Sequence, residues 1–347
     1  MKNQLIVVAG GGGFIGGHLI ADLRNRGYSN LRSVDIRPVS EWHQHFDDVD
    51  NLVLDLKSAQ SCRDACSGAA EIYNLAADMG GMGFIENNKA LCMLSVLINT
   101  QMLQSAAAAG AERYFYSSSA CVYNAEKQIS ENVIALKEED AYPAMPEDGY
   151  GWEKLFSERM CRHFREDFEL TTRVARFHNV YGPYGTWEGG REKAPAAIIR
   201  KVLNAKLNAE QEIEIWGDGK QTRSFMYIDD CIKGIELIMH SDIEEPINLG
   251  SNELTTINGL ADIAAEIDKV DLTYRHNLDA PKGVNGRNSD NTKIKEYLDW
   301  EPSITLREGM EKTYRWIEAE FLGKYSSASP EESSKLQERS EASKKMA

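Results

Sequence analysis

Apolar positions along this chain fall into short continuous runs separated by stretches of helical period. LIVVAG (5–10), LRSVDI (31–36), NLVLDL (51–56), EIYNLAA (71–77) and RYFYSSS (113–119) read as strands. HLIADLRNRG (18–27) reads as a helix closed by glycine, and an alanine-rich helix ends near Gly110. Apolar runs bounded by turn residues suit strands covered on both faces, and strand alternating with helix is the pattern of a parallel sheet. The prediction is an α/β fold with a doubly wound parallel sheet.

After about residue 180 the rhythm loosens. Helical patterns near 194–204, 228–240, 256–267 and 306–321 are separated by short strands such as IEIWG and PINLG. This predicts a smaller C-terminal domain, mainly residues 181–323, interleaved with a sheet domain that occupies mainly 1–180. From Lys324 the serine-rich polar stretch to residue 347 has too little apolar area to order itself and is predicted to be disordered. The chain has no internal repeats.

Composition narrows the partners. Of 347 residues, 39 are basic and 54 acidic, and the net charge of -15 argues against nucleic acid or an anionic membrane surface. Phosphate remains accessible, because backbone N–H groups and a few arginines suffice to bind it. The N-terminal apolar run is too short to cross a membrane and ends in glycines, so no targeting signal is read there. Six cysteines, scattered without a CxxC pair or a histidine cluster, suit reduced thiols in a cytoplasmic protein, and no metal is expected.

Chemistry enters with AGGGGFIGGHL. Gly10, Gly13 and Gly16 follow a strand and open a helix, so the backbone can approach a pyrophosphate and the helix N-terminus can face its charge. Asp35 closes the second strand, where a carboxylate accepts from an adenosine ribose and repels a 2′-phosphate. That favours NAD, with Arg37 as the one nearby feature that suits NADP. Asp55, at the next strand end, is either an adenine-side contact or a plain turn acid. These features together predict a Rossmann-type dinucleotide site.

A second motif is DGYGWEK. Tyr150 and Lys154 are four residues apart and share a helix face, and a neighbouring ammonium is expected to lower the phenol pKa and make it a usable base. About thirty residues earlier the strand RYFYSSS runs into Ser119, with Cys121 two positions on. A free thiol is closer to neutrality than a hydroxyl and can serve as an acid/base, or it can be a small buried hydrophobe.

The glycine-rich turn, the serine at a strand end and the Tyr-x-x-x-Lys pair resemble the extended short-chain dehydrogenase/reductases, over nearly all of residues 4 to 320. NLAADMGGMGF (74–84), SSACVY (118–123), RFHNVYGPYGTWEGGREKAPAA (176–197), WGDGKQTRSFMYIDD (216–230) and GRNSDN (286–291) resemble the members that act on GDP-mannose. The resemblance implies NAD-dependent inversion at C3 and C5 through a 4-keto sugar, giving GDP-L-galactose. It assigns Tyr150, Lys154 and Ser119 to the C4 redox step, and Cys121 and Lys193 to proton transfer at carbon. It further implies Phe14, Ile15 and Ala76 at the cofactor. At the substrate it implies Gly80, Ala120, Asn179, Glu192, Ala194, Lys201, Gln221, Thr222, Arg223 and Arg287, with Lys201, Arg223 and Arg287 holding the GDP diphosphate and guanosine. A 4-epimerase or a 4,6-dehydratase of the same family would share the cofactor and the Tyr-Lys pair, and Cys121 with Lys193 is what sets this chain apart from them. A homodimer through helices near 87–109 and 150–168 is also implied.

Overall fold

A computed structural model describes residues 3–326, and its backbone follows the alternation read from the sequence. Strand β1 (Leu5–Ala9) leads to α1 (Phe14–Asn25), then β2 (Leu31–Asp35), β3 (Asp50–Val53), α2 (Ala59–Cys66) and β4 (Ala69–Asn74). Three helices follow, α3 (Met82–Asn87), α4 (Lys89–Met93) and α5 (Ser95–Ala109), before β5 (Arg113–Ser119), α6 (Tyr150–Phe168) and β6 (Thr171–Phe177). Helix α5 stops at Gly110, whose φ of 70° is the left-handed turn that glycine adopts without steric cost.

The second half holds β7 (Val180–Tyr181), α7 (Ala194–Leu207), β8 (Glu212–Trp216), β9 (Thr222–Ser224), β10 (Met226–Tyr227) and α8 (Ile228–Met239). It continues with β11 (Ile247–Leu249), β12 (Leu254–Thr256), α9 (Ile257–Asp268), β13 (Thr273–Asn277), β14 (Gly286–Arg287), α10 (Thr292–Leu298) and α11 (Leu306–Ser326). The main sheet has the order β11-β6-β5-β4-β1-β2-β3, and every pairing in it is parallel. The PINLG run therefore lies at the edge of the large sheet, and the C-terminal half is interleaved with it rather than appended to it.

Coverage on both faces explains why the strands are nearly all apolar. Val7, Val8 and Ala9 of β1 and Tyr114 and Phe115 of β5 are fully buried. One continuous core runs from Phe115 and Leu19 through Ile228 and Leu249 to Tyr314 and Phe321, so both halves share a single apolar interior. The stretch Lys89–Ala109 is long and apolar enough to cross a membrane by length and composition alone, but it breaks into α4 and α5, and α5 buries Asn99 and Ser105. Helix α11 continues through Ser326, which moves the start of the predicted tail past residues 324–326. The remainder of that tail, 327–347, lies outside the described residues.

This topology positions the site. The chain runs outward from β1 to β3, then crosses to β4 on the other side of β1. Loops from β1 and β4 thus separate at the C-terminal edge and leave a crevice between them.

Candidate active site

The crevice begins as a cradle of glycines. Gly10 has φ of +80°, and a methyl group on it would lie 2.9 Å from the Ala76 amide nitrogen. On Gly16 a methyl would lie 2.2 Å from the Gly10 carbonyl oxygen, so only glycine lets α1 start this close to the strand. Gly13 caps α1 without a side-chain bond and no acid stands in the first turn, which leaves the N–H groups around Phe14 and Ile15 to meet an anion. Asp35 is buried at the end of β2 and accepts from the Arg37 amide at 3.0 Å and from its Nε at 3.3 Å. Arg37 Nη2 also donates to the Gly12 carbonyl, so this cation is committed to Asp35 and to the glycine loop. Asp55 is exposed, and its Oδ1 accepts from the Lys57 amide at 3.0 Å in a local turn. The cradle fits a dinucleotide.

At the next strand end β5 delivers Ser119, whose Oγ accepts from the Cys121 amide at 3.2 Å and lies within hydrogen-bond reach of Tyr150. Tyr150 is the first residue of α6 and is buried. One turn on, Lys154 is also buried. Its Nζ donates to the Tyr116 hydroxyl at 3.1 Å, lies 3.7 Å from Glu153 Oε2, and sits 5.5 Å from the centre of the Tyr150 ring.

This corrects one sequence expectation. The Tyr150 phenol is held well above its ordinary range, chiefly by burial and then by Cys121 and Glu153, with the Ser119 hydrogen bond opposing. The Lys154 ammonium is engaged by Tyr116 and Glu153, so its field is spent there rather than on Tyr150.

Cys121 stands in a single 3-10 turn, Ala120–Val122, packed against Ile85, Cys92 and Tyr150. Burial, followed by the Glu147 carboxylate, pushes its thiol up to about 11, against the pull of Arg287 and Ser119. Lys193 caps α7 and is half-buried, and its amine is lowered by burial while the Cys121 and Cys231 thiols oppose. The loop that carries it is clamped. The Gly81 amide donates to the Arg191 carbonyl at 3.0 Å, Arg191 pairs with Asp78 at 2.8 Å, and Glu192 takes both Arg200 at 2.6 Å and the Gly190 amide at 2.7 Å. Gly80 and Gly81 permit that contact, since a methyl on Gly81 would lie 2.3 Å from the Glu192 carbonyl oxygen and one on Gly80 would lie 3.2 Å from Arg191 Cα. The loop brings Lys193 within electrostatic reach of Cys121, not out into solvent.

Two of the arginines reach the same place. Arg223 donates through Nη2 to the Val284 and Lys282 carbonyls at 2.6 and 3.1 Å, and burial together with Arg287 lowers it to about 10. Arg287 donates through Nη1 to the Cys121 sulfur at 3.6 Å. Farther out, Lys201 reaches the Glu214 carbonyl at 2.8 Å and lies over the Trp216 ring, and Thr222 donates to the Glu131 carbonyl at 2.6 Å. Gln221 donates to the Trp216 carbonyl at 2.7 Å and leaves its buried Oε1 without a partner. Asn179, at φ 42°, donates to the Ser224 carbonyl at 3.0 Å, and Ala194 opens α7. His178 packs in the core with its Nε2 on Asn248, and burial takes it down to about 3.

Sequence reasoning missed Tyr116, Glu147 and Gln128. Glu147 lies three positions before Tyr150, close enough to have been weighed with it. Gln128 meets Arg287 from 159 positions away, and nothing local announces that contact. Among the described residues no group of His, Cys, Asp or Glu is arranged to hold a metal ion.

A doubly wound sheet with a glycine cradle and a Ser-Tyr-Lys cluster at its C-terminal edge defines a dinucleotide-dependent enzyme of the short-chain dehydrogenase/reductase class. The chain belongs to the NAD-dependent epimerase/dehydratase family, whose pattern matches residues 6–250. It is 43% identical over 323 residues to GDP-mannose 3,5-epimerase 1 of Oryza sativa subsp. japonica, covering 91% of this chain and 82% of that protein. Among solved structures, UDP-glucose 4-epimerase of Thermotoga maritima with UDP-glucose superposes with a TM-score of 0.81 at 25% identity, over 91% of this chain and 99% of that one. MoeE5 in complex with UDP-glucuronic acid and NAD does so with a TM-score of 0.76 at 25% identity, over 91% and 99%.

Proposed function

We propose that this protein inverts GDP-D-mannose at C3 and C5 through a transient 4-keto sugar, giving GDP-L-galactose, with GDP-L-gulose as the product of inversion at C5 alone. When bound, NAD supplies reversible hydride exchange with C4, so there is no net redox change. The residues here handle protons. Tyr150 takes the C4 hydroxyl proton, Ser119 holds that oxygen, and Lys154, one turn along α6 with its Nζ 5.5 Å from the Tyr150 ring centre, is the cation beside that proton transfer. A ketone at C4 makes the C–H bonds at C3 and C5 acidic. Inversion then needs one group to remove a proton from one face and another to return it to the opposite face, the roles of Cys121 and Lys193. Arg223, Lys201, Gln221 and Thr222 hold the nucleotide and its diphosphate.

One observation carries this reading: the buried thiol of Cys121 packs against Tyr150 while the lowered amine of Lys193 lies within its electrostatic reach. Redox chemistry at C4 alone needs Ser119, Tyr150 and Lys154 and gives no work to such a pair. The test is proton NMR of the purified protein with GDP-mannose in deuterated water. Deuterium is expected at C5 and C3 together with new epimers. NAD-loaded protein that exchanges neither position would overturn the reading.

The same proposal extends to assembly and location. Leu97 of α5 and Trp152 and Phe156 of α6 are exposed on adjacent helices, an apolar surface suited to the same helices of a second copy. A dimer is expected by light scattering, and Phe156→Glu should dissociate it. Six unpaired, buried cysteines support a reducing compartment such as the cytoplasm.

A further inference from the structure

Arg287 is held on three sides. Its Nε donates to Gln128 Oε1 at 2.7 Å, its Nη2 pairs with Glu147, and its Nη1 is thereby aimed at the Cys121 sulfur at 3.6 Å. All four side chains are buried or nearly so: Arg287 is 4% exposed, Gln128 1% and Cys121 7%, and the Glu147 side chain is 14% exposed. Two anchors on one guanidinium fix its orientation, and a buried ion pair acts strongly on a neighbour because little water screens it. Nothing in the redox step uses Glu147 or Gln128.

We propose that Glu147, seated with Gln128 on Arg287, is a positioning residue that controls when the Cys121 sulfur ionises. The Glu147 carboxylate, itself within hydrogen-bond reach of the Cys121 thiol, disfavours the thiolate and the guanidinium favours it, so the sulfur meets two opposed charges that are paired with each other. Other charged or titratable groups face this sulfur from separate elements. Tyr150 lies on α6, Lys193 at the start of α7, Arg223 on β9 and Cys92 on α4, while His178, after β6, faces Arg287. Of the groups that meet Arg287, Glu147 is the carboxylate paired directly with it, and its neutral isostere keeps the shape and an acceptor for Nη2.

The inference rests on reading Cys121 as the acid/base at carbon, and its test needs no sugar. The NAD-loaded protein is alkylated with iodoacetamide over the neutral to alkaline range, and modification of the Cys121 peptide is followed by mass spectrometry. The position of the pH profile, not its plateau, is the readout, so a change in access is not mistaken for a change in ionisation. Glu147→Gln is expected to move the Cys121 profile down by about one pH unit, about a tenfold faster reaction at fixed neutral pH. Arg287→Gln is expected to move it the other way. A profile in Glu147→Gln that coincides with wild type, with bound NAD retained, would overturn the proposal. If Glu147→Gln loses NAD or melts early, Gln128→Ala reads the same point from the other anchor. Release of the guanidinium should raise the profile, and an unchanged one again refutes the assignment. If the sugar is not GDP-mannose these shifts persist, which separates failure of this inference from failure of the substrate assignment.

Discussion

Replacing Gly81 by alanine should separate the two halves of the reaction. The new methyl would lie 2.3 Å from the Glu192 carbonyl oxygen and 3.7 Å from Lys193 Cα. Carbon and oxygen approach no closer than about 3.3 Å, so the segment bearing Lys193 has to retreat by about 1 Å. The retreat stretches the bond from the Gly81 amide to the Arg191 carbonyl, now 3.0 Å, a loss of about 1 kcal/mol of stability that leaves the protein folded. A displacement of about 1 Å in a reacting group costs about 10²-fold in rate. Ser119, Tyr150 and Lys154 stand on β5 and α6 and do not move with this loop. Gly81→Ala should therefore keep its NAD and still form the 4-keto sugar, captured by tritiated borohydride as an alcohol labelled at C4, while deuterium entry at C3 and C5 falls about 10²-fold with KM little changed. Wild-type exchange in Gly81→Ala would refute the idea that this glycine contact sets the position of Lys193. Equal loss of ketone and exchange would refute the separation of the two chemistries.

Three further outcomes follow from the same geometry. Tyr150→Phe should retain NAD yet trap no ketone, whereas Cys121→Ala should trap ketone with little carbon-bound exchange; normal turnover by either variant excludes the role given to that residue. Gly16→Ala puts a methyl 2.2 Å from the Gly10 carbonyl and should purify with little bound NAD, measured by absorbance after acid release. The buried neutral His178, with a folded pKa of about 3 against an ordinary value of 6.5, contributes stability that is present above pH 6.5 and is lost as pH falls toward 3. That loss is on the order of 5 kcal/mol, so melting temperature against pH should fall less steeply on acidification in His178→Gln, and parallel curves would contradict it.

The sheet was legible because its signals are local. A strand buried on both faces has to be apolar, and RYFYSSS matches β5 residue for residue. The redox cluster was legible for a related reason, since Tyr150 and Lys154 share a helix and Ser119 ends a strand. The field at Tyr150 was not legible, because it depends on Tyr116, a residue of β5 whose hydroxyl intercepts the Lys154 ammonium. Arg287 shows the same limit. Its sequence context, GRNSDN, speaks of a nucleotide-binding loop, while its nearest partners are Gln128, Glu147 and Cys121, the first brought close where the Asn285 amide donates to the Gln128 carbonyl at 3.0 Å. The α11 boundary was misjudged because composition after Lys324 is polar, and a helix ends where its packing and capping end, not where polarity begins.

The two chemistries rest on different kinds of support. Ser119 and Tyr150 are fixed by strand and helix ends of a sheet that is retained in Thermotoga maritima UDP-glucose 4-epimerase at a TM-score of 0.81. Cys121 and Lys193 are held instead by a one-turn helix and a cap residue, whose positions come from the Gly81 contact and from Arg287 with its two anchors. Backbone carried by a buried sheet resists displacement, while loop positions depend on a few contacts and can be altered singly. Damage to those contacts would leave C4 oxidation running with nowhere for its product to go except back. In this reading an epimerase with a loosened loop becomes a reversible C4 oxidant that returns mannose unchanged. Substitutions at Gly81 and Gln128 should therefore lower epimerisation before they lower NAD binding or melting temperature.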